Sequence, residues 1–132
     1  MKRRTDPYKI LIVNMTPTGC EALRWAMETE TDLVVVGEAD DAPTALARAA
    51  ELVPDVVLLD AGPTVRGPGP DVFDVTRSLK AGADPPGAVL LVVRGSAEIR
   101  RRYAAAGGDG VVEKQAGWPA LIQQLRRALA GR

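Results

Sequence analysis

The chain predicts a doubly wound α/β domain built on five parallel strands. Five short apolar runs recur, rich in β-branched residues and without polar alternation, as strands read when both sheet faces are covered. Each run is followed by a segment with apolar residues at helical spacing, so strand and helix alternate five times. The 132 residues are used up by five such units of ~20–30 residues each, which leaves one domain. Right-handed crossovers place helices on both faces. With five strands, the flavodoxin-like order 2-1-3-4-5 follows.

The strands are read at Lys9–Val13, Leu33–Gly37, Val56–Leu59, Ala88–Val93 and Val111-Val112. The first helix follows a possible capping box, Thr18 with Glu21, and carries an inward stripe of Leu23, Ala26 and Met27. Asp41 precedes the second, with Ala42, Ala45, Leu46, Ala49 and Val53 as its stripe. Asp71 precedes the third, with Val72, Val75 and Leu79 inward. Ser96 reads as the cap of a fourth that buries Ile99, Tyr103 and Ala106. Trp118-Pro119 opens the fifth, with Leu121, Ile122, Leu125, Ala128 and Leu129 facing the core.

Composition excludes several chemistries. There is no histidine, which removes imidazole catalysis, imidazole metal ligands and a phosphohistidine role. Cys20 is the single cysteine, so neither an intramolecular disulfide nor a cysteine zinc cluster can form. No apolar run approaches the ~18 residues of a membrane span, and the basic start Met1–Asp6 is not followed by a signal core. A soluble protein of a reducing, cytoplasmic compartment is the expectation. Seventeen basic residues balance seventeen acidic ones, so the molecule as a whole has no pull toward nucleic acid or anionic membrane.

Charge is nonetheless uneven. Glu21 to Asp60 holds ten acidic and two basic residues, and Arg94 to Arg132 holds eight basic and three acidic. In a doubly wound sheet these halves are expected at opposite lateral ends, giving either a merely solvated surface or a polarised docking face. Two breaker stretches also stand out, Ala61–Pro70 with six Gly or Pro, and Ala83–Gly87. The first directly follows the third strand, at the carboxyl edge where ligands bind in such sheets. Reading that edge gives Asn14-Met15, Glu38, Asp60, Arg94-Gly95-Ser96 and Lys114. Asp60 and Lys114 are expected to face one another across a shallow cleft, at the least as an ion pair.

The stretches KILIV (Lys9–Val13), DLVVVGEADDAPTALARAAELVPDVVLLD (Asp32–Asp60), AGGDGVVEK (Ala106–Lys114) and LIQQLRRALAG (Leu121–Gly131) together resemble a response-regulator receiver domain of two-component signalling. The likeness is to CheY-like domains of the NarL/FixJ type. It covers about residues 8–130, with 1–7 read as a disordered tail and 8–132 as the receiver. The resemblance makes Asp60 the candidate phosphoacceptor for a histidine kinase and Lys114 the cation that pairs with the phosphoryl group.

The rest of the family's site is degenerate. Where receivers carry two acidic residues that hold Mg²⁺, this chain has Asn14 and Met15. Mg²⁺ demands hard oxygen donors, and a thioether is the wrong kind. The Ser or Thr at the end of strand four is replaced by Val92, and the aromatic switch residue by Val111. Phosphoryl transfer depends on positioning and charge neutralisation, so these losses are costly.

The leading expectation is therefore an atypical, phosphorylation-independent receiver: a protein-interaction module and not an enzyme, without a cofactor. Its partners would be a histidine kinase or a downstream regulator, with no direct contact to nucleic acid or membrane. The alternative is a working phosphoacceptor at Asp60 that holds Mg²⁺ weakly, either standing alone or as the N-terminal part of a helix-turn-helix transcription regulator. A third reading, a small-ligand sensor closed by the Gly/Pro-rich loop, lacks phosphate-loop spacing, and its prolines remove donors. The interaction surface is expected around Arg100, Arg101, Arg102, Tyr103, Arg126 and Arg127. Like charges there disfavour a symmetric dimer, so a monomer or weak homodimer is expected, with basic and acidic faces meeting in a salt-sensitive contact.

Overall fold

The structure, a computed structural model, describes residues 6–14, 20–60, 71–93, 97–113 and 117–130. Along the chain run β1 (Tyr8–Asn14), α1 (Cys20–Glu28), β2 (Leu33–Ala39), α2 (Ala42–Leu52), β3 (Val56–Asp60), α3 (Val72–Ala81), β4 (Ala88–Val93), α4 (Ala97–Ala105), β5 (Gly110–Glu113) and α5 (Trp118–Ala130). The strands are all parallel and stand in the order β2-β1-β3-β4-β5, as the alternation predicts. Among the described residues, no helix is long and apolar enough to cross a membrane. The capping box at Thr18, the cap at Ser96 and the breaker stretch Ala61–Pro70 lie outside the described residues, as do residues 1–5 of the expected tail.

The sheet divides the core into two layers, because successive strand side chains point to opposite faces. Leu11, Val13, Val57, Leu59, Val89 and Leu91 pack under α2, α3 and α4. Ile10, Ile12, Val56, Leu58, Leu90 and Val112 pack under α1 and α5. The central strands are sealed on both faces, which is why their sequences show no polar alternation. At the β2 edge the register shifts between Ile10 and Leu11. There Gly37 lets α2 approach, since a Cβ at this position would lie 2.7 Å from the Leu52 side chain.

The helix starts are locally encoded. Asp41 accepts from the Thr44 amide at 2.8 Å. Asp71 and Asp74 form a reciprocal capping box, so α3 begins at Val72. One expectation is corrected: Val53 does not extend the stripe of α2. Pro54 disfavours helix at the residue before it, and Val53 takes a left-handed φ of 46° as the C-cap, 42% exposed.

Two carboxylates tie the amino ends of strands, at the edge away from Asp60. Asp55 accepts from the Lys9 amide at 2.7 Å. Asp109 accepts from the Val89 amide and from Lys80 Nζ, each at 2.8 Å.

Tyr103 requires a second correction. Counted among the surface residues in the sequence reading, it is fully buried. Its hydroxyl donates to the Val89 carbonyl at 3.3 Å and lies 2.9 Å from Thr76 Oγ1. The reason is the stripe itself: Ile99 and Tyr103 share the inward face of α4, and Ala106, just past its end, joins the same cluster. Burial pushes the Tyr103 pKa upward, so the phenol stays protonated. Gly108 covers the ring so closely that a Cβ there would fall 2.1 Å from it. Tyr103→Phe is expected to cost about 1 kcal/mol, the net worth of a buried hydrogen bond. Gly108→Ala is expected to cost more, because the ring must move. Urea unfolding of the two variants checks both the sign and the order.

Candidate functional site

At the carboxyl edge of the sheet, the register sets four residues in a row. Asn14 of β1 stands opposite Asp60 of β3, Asp60 opposite Val92 of β4, and Val92 opposite Val112 of β5. Residues two positions back, Ile12, Leu58 and Leu90, belong to the α1/α5 layer. The row continues that layer to the rim of the sheet. Asn14 and Asp60 are each only 4% exposed, and they are two of the three buried polar residues among those described. A carboxylate here has limited access to water and depends on its neighbours for charge compensation. In register with it, on either side, stand Asn14 and Val92.

The model of the response regulator receiver domain family matches residues 10–126. The chain belongs to the response-regulator receiver family. The receiver is 35% identical over 99 residues to the response regulator GacA of Pseudomonas viridiflava, covering 75% of this chain and 44% of that protein. It is 36% identical over 108 residues to a protein-glutamate methylesterase/protein-glutamine glutaminase of Myxococcus xanthus, covering 82% of this chain and 29% of that one. The chain thus spans less than half the length of these curated relatives. Among solved structures, it superposes on the receiver domain of the putative response regulator NarL from Mycobacterium tuberculosis. There the TM-score is 0.83 at 26% identity, with 96% of this chain and 99% of the other covered. A LuxR-family response regulator from Aurantimonas sp. gives a TM-score of 0.82 at 28% identity, covering 96% and 88%.

Against that family's site, Asn14 and Val92 are the described neighbours in register with Asp60. Asn14, directly in register with Asp60, offers one neutral carbonyl oxygen where an anionic ligand is called for. Val92 stands level with Asp60 on the other side and has no hydroxyl to bond a phosphoryl oxygen. Val111 lies in the opposite layer, 4% exposed and packed in the same cluster as Tyr103. Met15, Lys114, Arg94, Gly95, Ser96 and residues 61–70 lie outside the described residues, and with them the expected Asp60–Lys114 pairing. Glu38 stands opposite Ile12 in β2, where Arg24 of α1 holds it in an ion pair.

The arginines form a less uniform surface than expected. Arg100 donates to the Val111 carbonyl at 3.2 Å and lies 3.7 Å from Glu113. Arg102 lies 5.1 Å above the Phe73 ring and 3.9 Å from Glu98. Arg101 and Arg127 are exposed. Arg126 departs most from the expectation: it donates to Asp32 at 2.7 Å and to Glu30 at 2.6 Å. α5, which follows the last strand, packs on the face occupied by α1, so these basic and acidic segments meet within one molecule instead of at opposite ends.

The Arg126 guanidinium holds the Asp32 carboxyl below its ordinary pKa. A pKa lower in the folded than in the unfolded state contributes stability at neutral pH, and that contribution is lost as pH falls through the folded value. The pair is half exposed, so Asp32→Asn is expected to cost at most about 1 kcal/mol at neutral pH. The difference should shrink as pH falls below the ordinary carboxylate range and through the folded value. Thermal melts of wild type and variant at neutral and acidic pH check it.

Proposed function

We propose that this receiver works as a protein-interaction module whose output does not depend on phosphorylation of Asp60. The observation that carries the reading is the row Asn14–Asp60–Val92. Transferring a phosphoryl group to a carboxylate brings anionic oxygens against an anionic acceptor. The barrier falls when a metal, a cation and hydroxyl donors take up that charge. Asn14 and Val92 supply neither charge nor a hydroxyl, so two of the supports on either side of Asp60 are missing. Val111 has no long side chain to carry an altered charge state at Asp60 to the α4–β5 surface. On this reading the domain turns over no substrate and holds no cofactor. Its partners are a histidine kinase or a downstream regulator, and in a longer protein an attached effector domain.

The alternative, a working acceptor at Asp60, makes a clear demand. Incubation with acetyl phosphate and Mg²⁺, followed by intact-mass measurement, should leave the mass unchanged. A gain of one phosphoryl group that disappears in Asp60→Asn would overturn the proposal and make Asp60 the acceptor.

A further inference from the structure

The sheet ends in two edge strands, β2 and β5, and their surroundings differ. An edge strand turns a row of N–H and C=O groups outward, and proteins cover or charge that row to keep other strands off it. β5 is short and covered. Its Val111 carbonyl accepts from Arg100 of α4 at 3.2 Å and from Gln124 of α5 at 3.1 Å, and Glu113 puts a charge at its end. β2 is seven residues long. Its run Leu33–Gly37 holds no charge and no proline, and among the described residues no side chain bonds to the backbone of that run.

The exposed large apolar side chains among the described residues fall into two pairs. Trp25 and Trp118 line the groove between α1 and α5. Val34 and Val53, 37% and 42% exposed, lie on either side of Lys9. Val34 stands opposite Lys9 in the sheet. The Lys9 ammonium donates to the Leu52 carbonyl at 3.1 Å, one residue before Val53. A β-branched residue is an unfavourable occupant of a left-handed C-cap, which glycine fills without strain. Val53 thus adds apolar surface beside the β2 edge and detracts from stability.

We propose that β2 is a docking edge, to which an extended apolar segment of a partner protein, cationic at its amino end, adds antiparallel along Leu33–Val36. Outward backbone groups are matched only by water or by another extended backbone, and strand addition is a recurrent mode of peptide recognition. Charge selects the partner. From Glu28 to Asp41 the chain has six acidic residues and no basic one. Arg24 pairs with Glu28 and Glu38, and Arg126 with Glu30 and Asp32. Asp40 and Asp41 then stand exposed just past the carboxyl end of β2, where the amino end of an antiparallel segment arrives. A second copy is the wrong occupant, because antiparallel pairing about Val35 sets Asp32 of one copy against Glu38 of the other, and like charges placed opposite destabilise. The register shift gives β2 an extra residue, Val36, with no counterpart on β1, and such a bulge limits pairing. The contact is accordingly short and weak. It uses neither Asp60 nor any phosphoryl chemistry, and so stands independently of the reading above.

The probe is a synthetic peptide of alternating threonine and valine led by two lysines, KKTVTVTV, titrated into the ¹⁵N-labelled full chain from about 10 µM to about 1 mM. The expected result is a set of saturating amide shifts centred on Leu33–Gly37 and Val53, weaker at about 500 mM salt than at about 50 mM. Val34→Lys, which places a charge on the edge, should weaken binding at least ~5-fold, and Asp40→Lys about 3-fold, both with an unchanged circular dichroism spectrum. A peptide with proline in place of its middle valine, lacking that N–H, should bind worse, as should one led by two glutamates. The proposal is overturned if β2 shows no shifts at the highest concentration, if the shifts centre on Trp25 and Trp118 or on α4, or if the glutamate peptide or the Val34→Lys chain binds equally well. Shifts at β2 on concentrating the chain alone would make the occupant a second copy and overturn it too.

Discussion

Three neighbouring strands, β1, β3 and β4, are sealed on both faces by helices. Sliding any one of them by a single residue would exchange the two core layers, turning the side chains of one face toward the other. The register Asn14–Asp60–Val92 is therefore fixed by the burial of Ile10, Ile12, Leu58 and Leu90 on one side and Leu11, Leu59 and Leu91 on the other. The functional edge inherits this constraint. The core holds Asn14 and Val92 level with Asp60, one on each side.

The same constraint separates the fold from the activity. Asp55 and Asp109 bind strand amides at the amino ends of the sheet, far from the Asp60 edge. Their bonds persist whatever occupies the site. Substitution at Asn14, Val92 and Val111 leaves the layers intact because each is a small side chain within an otherwise complete core. On the proposed reading, loss of acceptor chemistry at Asp60 leaves the core layers and the helix surfaces as they are. On those surfaces the charges are largely settled within the molecule. Arg126 joins α5 to the segment after α1, and Arg24 joins α1 to β2. Two tryptophans then stand out on a face whose charges are already balanced.

The strands and their order were legible because doubly buried strands have an unmistakable apolar pattern, as in VVLL before Asp60. The helix starts at Asp41 and Asp71 were legible because capping is local. Val53 was misread because its apolar character fits the helical stripe, while the effect of Pro54 is on the backbone. Tyr103 fitted two readings, a stripe position and a member of a basic surface segment. Only the approach of Thr76 and Val89 from other elements decides between them. The internal pairing of Arg126 with Glu30 and Asp32 spans more than ninety residues and follows from the side on which α5 crosses, which charge counting along the chain does not contain. Trp25 lies off the stripe of α1 and is exposed. Its convergence with Trp118 needed the helix arrangement.

On the proposed reading, Asn14 deprives Asp60 of the negative charge that would draw a metal to the site. Unfolding free energies of the wild type and of Asn14→Asp, each with and without about 10 mM Mg²⁺, test it directly, because a ligand bound only by the folded state raises stability in proportion to its occupancy. The account predicts a wild type indifferent to Mg²⁺. It predicts a variant destabilised by about 1–3 kcal/mol through two carboxylates held in register, with much of that loss restored by the ion. A wild type that Mg²⁺ already stabilises, or a variant that Mg²⁺ leaves unchanged, would contradict it.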